Sequence, residues 1–184
     1  MTTDDKYKNL DRVNFWVSNC DSKVSYLLTL QGIVLTIIFT SRNATACLLT
    51  TLSYKFSCIN FGWKSIFRFL EGVSLYLFLA FIFISLFHAY HTLRARLDPK
   101  IFKQNGLETK SILFFETIAN RKFSDFVNDQ LSQTENQLNN DIDSQIFINS
   151  KICQQKFKHY NLTVKYYSWG FISGLLYLIL TIKC

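Results

Sequence analysis

The side chains of this chain best suited to chemistry are its arginines and lysines, and the chemistry they suit is phosphate recognition. A phosphate oxygen needs a cation held in place, and the planar arginine fork matches it with two parallel donors. Arg94 and Arg96 lie close together, followed by Arg121 and Lys122, and then by Lys151, Lys156 and Lys158. Phe114, Phe115 and Tyr160 are aromatic faces on which a base could stack. The same cations could equally fix membrane topology and contact anionic headgroups. Taken alone, the residues favour that plainer reading.

Other constellations carry less. His88 and His91 stand one helical turn apart, a spacing metals use, but no neighbouring carboxylate or cysteine completes a ligand set. Capping at a membrane interface is the simpler role, so no metal is expected. Glu71 can pair with Arg68 three residues earlier, which would lower the cost of burying it near lipid. Five cysteines (Cys20, Cys47, Cys58, Cys153 and Cys184) are odd in number and form no C-x-x-C. Cys47 and Cys58 share one loop and are the pair an oxidising side would permit. Cys153 and His159, six apart on a helix, do not make a catalytic couple. No phosphate-binding loop, dinucleotide fingerprint, H-E-x-x-H or G-x-S-x-G occurs. Neither an enzyme nor a cofactor is expected.

The elements that must position these residues are membrane helices. The 184 residues are 49% hydrophobic and only 18% charged, with eighteen Phe, six Gly and one Pro. Soluble chains carry about 25% charged residues, and here the apolar residues fall in blocks. Residues 24–41 are uncharged, 72–90 are broken only by His88, and 166–182 are uncharged. Each is near the short end of the roughly 17–25 residues a membrane helix needs. The run 44–54 is too short to cross and reads as interfacial. Ala44-Thr45-Ala46 looks like a signal-peptidase site, but the acidic residues before the first span argue against cleavage. The net charge of +7 could attract nucleic acid; basic residues flanking apolar blocks point to lipid instead.

Three spans put the N-terminal tail and the long segment after the second span on one side. Of twenty Lys and Arg residues, only Arg42, Lys55, Lys64, Arg68 and Lys183 fall on the other. The tail and the long segment are therefore expected in the cytoplasm. The expected organisation is a cytoplasmic amphipathic helix (1–23), a first span (24–41), an external loop (42–68), a second span (69–90), a cytoplasmic helical bundle (91–165) and a third span (166–182). Leu10, Val13, Val17, Cys20 and Val24 make one helical stripe running into the first span. The second span should continue through Leu97, before Pro99. Residues 103–108 read as a turn at Gly106. Ile112, Phe115, Ala119, Phe123, Phe126 and Leu131 make a second stripe, predicting a fourth bundle helix. Asn140 or Asp141 is the expected N-cap of a last helix reaching Lys183, about 64 Å long. The fold class is an all-α membrane protein: three transmembrane helices extended into a cytoplasmic helical bundle.

Certain stretches also resemble a known family. "DSKVSYLLTLQGIVL", from Asp21, is similar to the D-x-K-A-S-x-L-L start of the first span in transmembrane effectors of Pycsar, the bacterial pyrimidine-cyclase antiphage system. Val24 departs from that pattern, replacing the commoner Ala. "RLDP" after the second span and "DIDSQIFINSKICQQKFKHYNLTVKYY" before the third resemble the same family in order. The resemblance implies a defence effector. A partner cyclase would make a cyclic pyrimidine mononucleotide during infection, and the effector would respond by impairing the inner membrane. It carries over Asp21, Lys23, Gln145, Lys151 and Lys156 without settling which bind ligand and which hold helices.

The expected ligand-binding set is accordingly Lys23, Arg94, Arg96, Lys151 and Lys156, with Asp21 and Gln145 coupling helices. Asp21 and Lys23 lie on nearly opposite sides of one helix and cannot serve one partner. Lys23 suits a headgroup or phosphate, and Asp21 needs a cation, for which the basic last helix is the natural source. The expected partners are a cyclic mononucleotide, membrane lipid and further copies of the chain, with a nucleotide cyclase as functional companion. A passive membrane tether and a small channel component are the competing readings.

Overall fold

In a computed structural model, residues 2–40, 63–94, 104–108 and 110–183 are described. The regular elements among them are all helices: α1 (Thr3–Thr40), α2 (Trp63–Arg94), α3 (Phe115–Ala119), α4 (Phe123–Ser132) and α5 (Glu135–Lys183). The expected loop 42–68, with its interfacial run and Cys47 and Cys58, lies largely outside the described residues, as do Leu97 and Pro99. Two compact units divide the chain. One comprises Met1–Asp21 and Arg94–Phe157; the other comprises Ser22–Leu93 and Lys158–Cys184.

The second unit is built from apolar contacts. Ile38, Leu75, Phe78, Ile82 and Tyr177 form its buried core. Gly170 and Gly174, four apart on α5, let that helix approach closely. A Cβ at Gly174 would lie 2.9 Å from Phe78 Cδ2 and 3.1 Å from Ile38 Cδ1, and one at Gly170 would lie 3.1 Å from Ile82 Cδ1. Contacts between α2 and α5 advance in opposite directions. Glu71 meets Thr181, Phe78 meets Gly174 and Ile82 meets Gly170, and Ser85 meets Thr163. The two helices are antiparallel.

α1 and residues Ile66–Arg94 of α2 are long and apolar enough to cross a membrane, and only 17% and 33% of their most apolar windows are buried within the protein. Large apolar side chains such as Ile37, Phe83 and Phe87 face outward, which suits lipid. The expected third span lies in α5. Tyr166, Tyr167, Tyr177, Trp169, Gly170, Gly174, Ser168 and Ser173 dilute its apolarity below that of the other two.

The first unit is held by polar side chains. Thr3 Oγ1 donates to Asn139 Oδ1 at 3.4 Å, Lys6 pairs with Asp143, Asn149 Nδ2 donates to Asn14 Oδ1 at 2.8 Å, and Trp16 meets Phe157 edge-on. These contacts advance together along both helices, so α1 and α5 run parallel here.

Two expectations about this unit need correction. α5 starts at Glu135, ahead of Asn140 and Asp141, and is about 74 Å long. Thr134 and Gln137 close a reciprocal cap: Thr134 N donates to Gln137 Oε1 at 2.9 Å, and Gln137 N to Thr134 Oγ1 at 3.4 Å. Asp141 sits inside the helix, fully buried, accepting from Ile112 N at 2.9 Å.

The stripe 112–131 is also not one buried helix. It breaks between α3 and α4, where the Arg121 guanidinium reaches the carbonyls of Lys110 and Ser111 and pairs with Asp129. Neither short helix has a buried residue; Phe115, Phe123 and Leu131 are 75%, 82% and 81% exposed. The expected fourth bundle helix is therefore two short helices without a buried face. The turn at Gly106 is as read, with φ +93°.

Candidate functional site

Asp21 is the last α1 residue of the first unit. It forms an ion pair with Lys156 of α5, whose side chain is only 8% exposed against 39% for Asp21. The cation needed by Asp21 thus comes from the last helix. A lysine nearly buried beside a half-exposed carboxylate is held by that contact, because losing the partner would leave a desolvated ammonium. Gln145 is buried three turns earlier on the same side of α5.

The other residues of the expected set are dispersed. Lys151 is half-buried on α5, its ammonium 5.4 Å from the Phe147 ring centroid, a weak cation–π contact. It stands five residues before Lys156, hence about 140° around the helix, so the two do not share a face. Arg94 is exposed at the end of α2. Lys23 is half-buried on α1 and belongs to the second unit. Arg96 lies outside the described residues. Of the expected residues, the geometry joins Asp21 and Lys156.

Within the second unit a polar layer crosses all three long helices. Gln31 is fully buried, and its Nε2 donates to Ser85 Oγ. Ser85 in turn donates to the Thr163 carbonyl at 3.0 Å, and Thr163 Oγ1 donates to the His159 carbonyl at 3.0 Å. Gln31 Oε1 is buried without a partner among the described residues. A lone glutamine in an otherwise apolar span was a signal for such a layer, since a polar side chain in lipid must find partners on another helix.

His88 and His91 acquire a third imidazole from α5. His88 Nδ1 and His159 Nδ1 are 3.2 Å apart, and the His91 and His159 rings stack with centroids 5.3 Å apart. His88 also stacks on Tyr166. Burial, then the charges of His88, His91 and Lys158, hold the His159 pKa below the usual imidazole value. The capping role expected for His88 and His91 omitted this partner, which only the antiparallel register of α2 and α5 brings near. Among the described residues no group of three His, Cys, Asp or Glu has a geometry that could hold a metal.

Two other expectations resolve locally. Glu71 takes Thr181 Oγ1 at 3.1 Å in place of Arg68. Burial pushes the Cys153 thiol pKa up, against the lowering effect of Lys156, so this cysteine is a poor nucleophile. A groove lined by Val34, Ile37, Ile38, Phe171, Gly174, Leu175 and Leu178 is apolar throughout; it has nothing to offer a phosphate.

Residues 6–183 match a family model described as PycTM, the Pycsar effector protein domain. The chain is 34% identical over 183 residues to the Pycsar effector protein GmPycTM of Gulbenkiania mobilis, covering 94% of this chain and 88% of that one. No solved structure matches.

Proposed function

The chain belongs to the Pycsar effector family and is an antiphage defence effector, and we propose that it senses a cyclic pyrimidine mononucleotide and responds by impairing the inner membrane. In this reading α1, α2 and the apolar end of α5 are three transmembrane helices, with the N-terminus and residues 91–165 cytoplasmic and Lys183 outside. One observation carries the third span. From Thr163 to Thr181, α5 packs along α2 and meets Ile38 of α1, so it shares their depth if they lie in lipid. Its tyrosines, serines and glycines are tolerable there because the glycines and Tyr177 face the other helices.

The nucleotide contacts fall to Arg94, Arg96 and Lys151, cations of the first unit, while Lys23 meets headgroups. Asp21 and Lys156 couple α1 to α5, and Gln145 packs between helices. α1 and α5 each contribute residues to both units, and in this reading a shift at the pair passes along them. Moving a two-state equilibrium from 1:99 to 99:1 takes about 5.5 kcal/mol of differential affinity. A charge-assisted contact supplies roughly 1.5–3 kcal/mol, so two or more cations must engage one ligand. Three spans with large apolar side chains facing outward favour a homo-oligomer. A nucleotide cyclase is the functional companion.

The test is toxicity in cells supplied with a cyclic pyrimidine mononucleotide. Arg94→Ala and Lys151→Ala should abolish killing while leaving membrane insertion intact; killing at the wild-type level would remove them from the site. A passive tether would be harmless and indifferent to nucleotide in every variant.

A further inference from the structure

We propose that His88, His91 and His159 form a proton-sensitive clasp between α2 and α5, closed when the imidazoles are neutral and forced apart when they are protonated. The chain has three histidines, and all three converge here from two helices 71 residues apart in sequence at the His88–His159 contact.

The contact geometry carries the inference. Two Nδ1 atoms 3.2 Å apart can share one proton, one ring donating and the other accepting through its lone pair. A second proton would set N–H against N–H. Stacking of His91 on His159 adds a third imidazole to the same half-buried cluster, so successive protonations oppose one another.

Among the described residues, no opposite charge acts on His159 to offset that repulsion. The charges acting on His159 are His88 and His91 from α2 and Lys158 from α5, every one a cation when charged. Tyr166 and Tyr90 pack on His88 and His91 as rings. On α1, Asp21 is engaged by Lys156, three residues before His159 on α5, Lys23 is half-buried, and Tyr26 is 71% exposed. The Asp21 carboxylate is committed to Lys156, and no anion is among the charges that act on His159.

The direction follows from the lowered pKa of His159. A base whose pKa is depressed in the packed state binds fewer protons there than when released. Its packing is therefore fully stable above the ordinary histidine value of about 6.5. It weakens as pH falls below that value toward the lowered one. Separation of α2 from α5 at this level would also break the Ser85–Thr163 bond beside it. Resting on the membrane reading above, the clasp supplies a feedback: protons entering through a first breach would loosen the helices and sustain the lesion.

The experiment is imidazole nitrogen NMR of the full chain in lipid nanodiscs, where three histidines give an assignable spectrum. We expect coupled titration, with successive protonation steps separated by at least about one pH unit, a tenfold difference in affinity. Removing one ring by His159→Gln should leave two steps closer together than the widest pair in the wild type, since His88 then keeps only its interaction with His91. Three independent curves in the wild-type protein would overturn the clasp.

Dye release from vesicles carrying the protein, with cyclic pyrimidine mononucleotide present, gives the second readout. Release should rise at least about tenfold between about pH 7.5 and about pH 5.5 and stay level in a His88→Gln/His159→Gln double variant. Equal acid stimulation in that variant would also overturn it. Absence of release at every pH would contradict the membrane reading instead, leaving the titration to decide the clasp.

Discussion

The two units of this molecule hold α5 by opposite means. In the second, α5 is held by shape: Gly170 and Gly174 admit Ile82, Phe78 and Ile38 to within touching distance of its backbone. In the first, α1 and α5 are joined by an asparagine pair, the Lys6–Asp143 and Lys156–Asp21 ion pairs, and one aromatic contact. Close-packed glycine contacts leave little room for small adjustments, because interiors are bistable and not continuously deformable. The exposed polar contacts exchange partners at low cost, while the Lys156–Asp21 pair is kept by its nearly buried ammonium. That division suits the proposed role, in which one unit holds in lipid while the other responds to a small charged ligand.

The largest effect should come from spoiling the packed unit. Gly174→Leu places a branched side chain where even a Cβ meets the Phe78 ring, and should cost about 3 kcal/mol. Denaturant unfolding of the detergent-solubilised protein reads it; a change under about 0.5 kcal/mol would mean the helices do not meet there.

Next comes the ion pair. Lys156→Ala should cost about 1–2 kcal/mol, discounted because Asp21 is 39% exposed. The exchanged pair Asp21→Lys with Lys156→Asp should recover most of it, and should restore nucleotide response where each single variant is silent or constitutively toxic. Failure of the exchange to rescue either property would reduce the pair to an incidental surface contact.

Asp141→Ala removes the acceptor of Ile112 N and should cost about 1 kcal/mol. Amide exchange should speed up locally over residues 104–114, because Ser144 Oγ holds the Glu108 amide of the same segment at 3.0 Å. Spread of faster exchange into residues 163–181 would show that the two units are not separable in stability.

The smallest effect should be Phe123→Ser, within about 0.5 kcal/mol for the single chain. Phe123 is 82% exposed on a helix with no buried residue. Cross-linking before and after the change tells whether another copy covers this face.

The long helices were readable because long uncharged apolar runs without Pro favour continuous helix. Gly106 was readable because a turn residue acts locally, and the need of Asp21 for a cation followed from the cost of a lone carboxylate near lipid. Three features were not read. The Thr134–Gln137 cap stood in the sequence as T-E-N-Q but was lost in a polar stretch. The break between α3 and α4 depends on Arg121 bonding carbonyls ten and eleven residues earlier, so the apolar spacing of 112–131 promised burial that tertiary contacts do not provide. His159 joins His88 only through helix register, and no local pattern encodes that.

The measurement closest to the central claim is permeability of vesicles containing the purified full chain, followed as cyclic CMP and then cyclic UMP is added. The expected result is nucleotide-dependent dye release by the wild-type protein, lost in Lys151→Ala although that variant inserts equally well. Release that ignores both nucleotides, or that persists undiminished in Lys151→Ala, would contradict the assignment of this effector as a ligand-gated disruptor of the membrane.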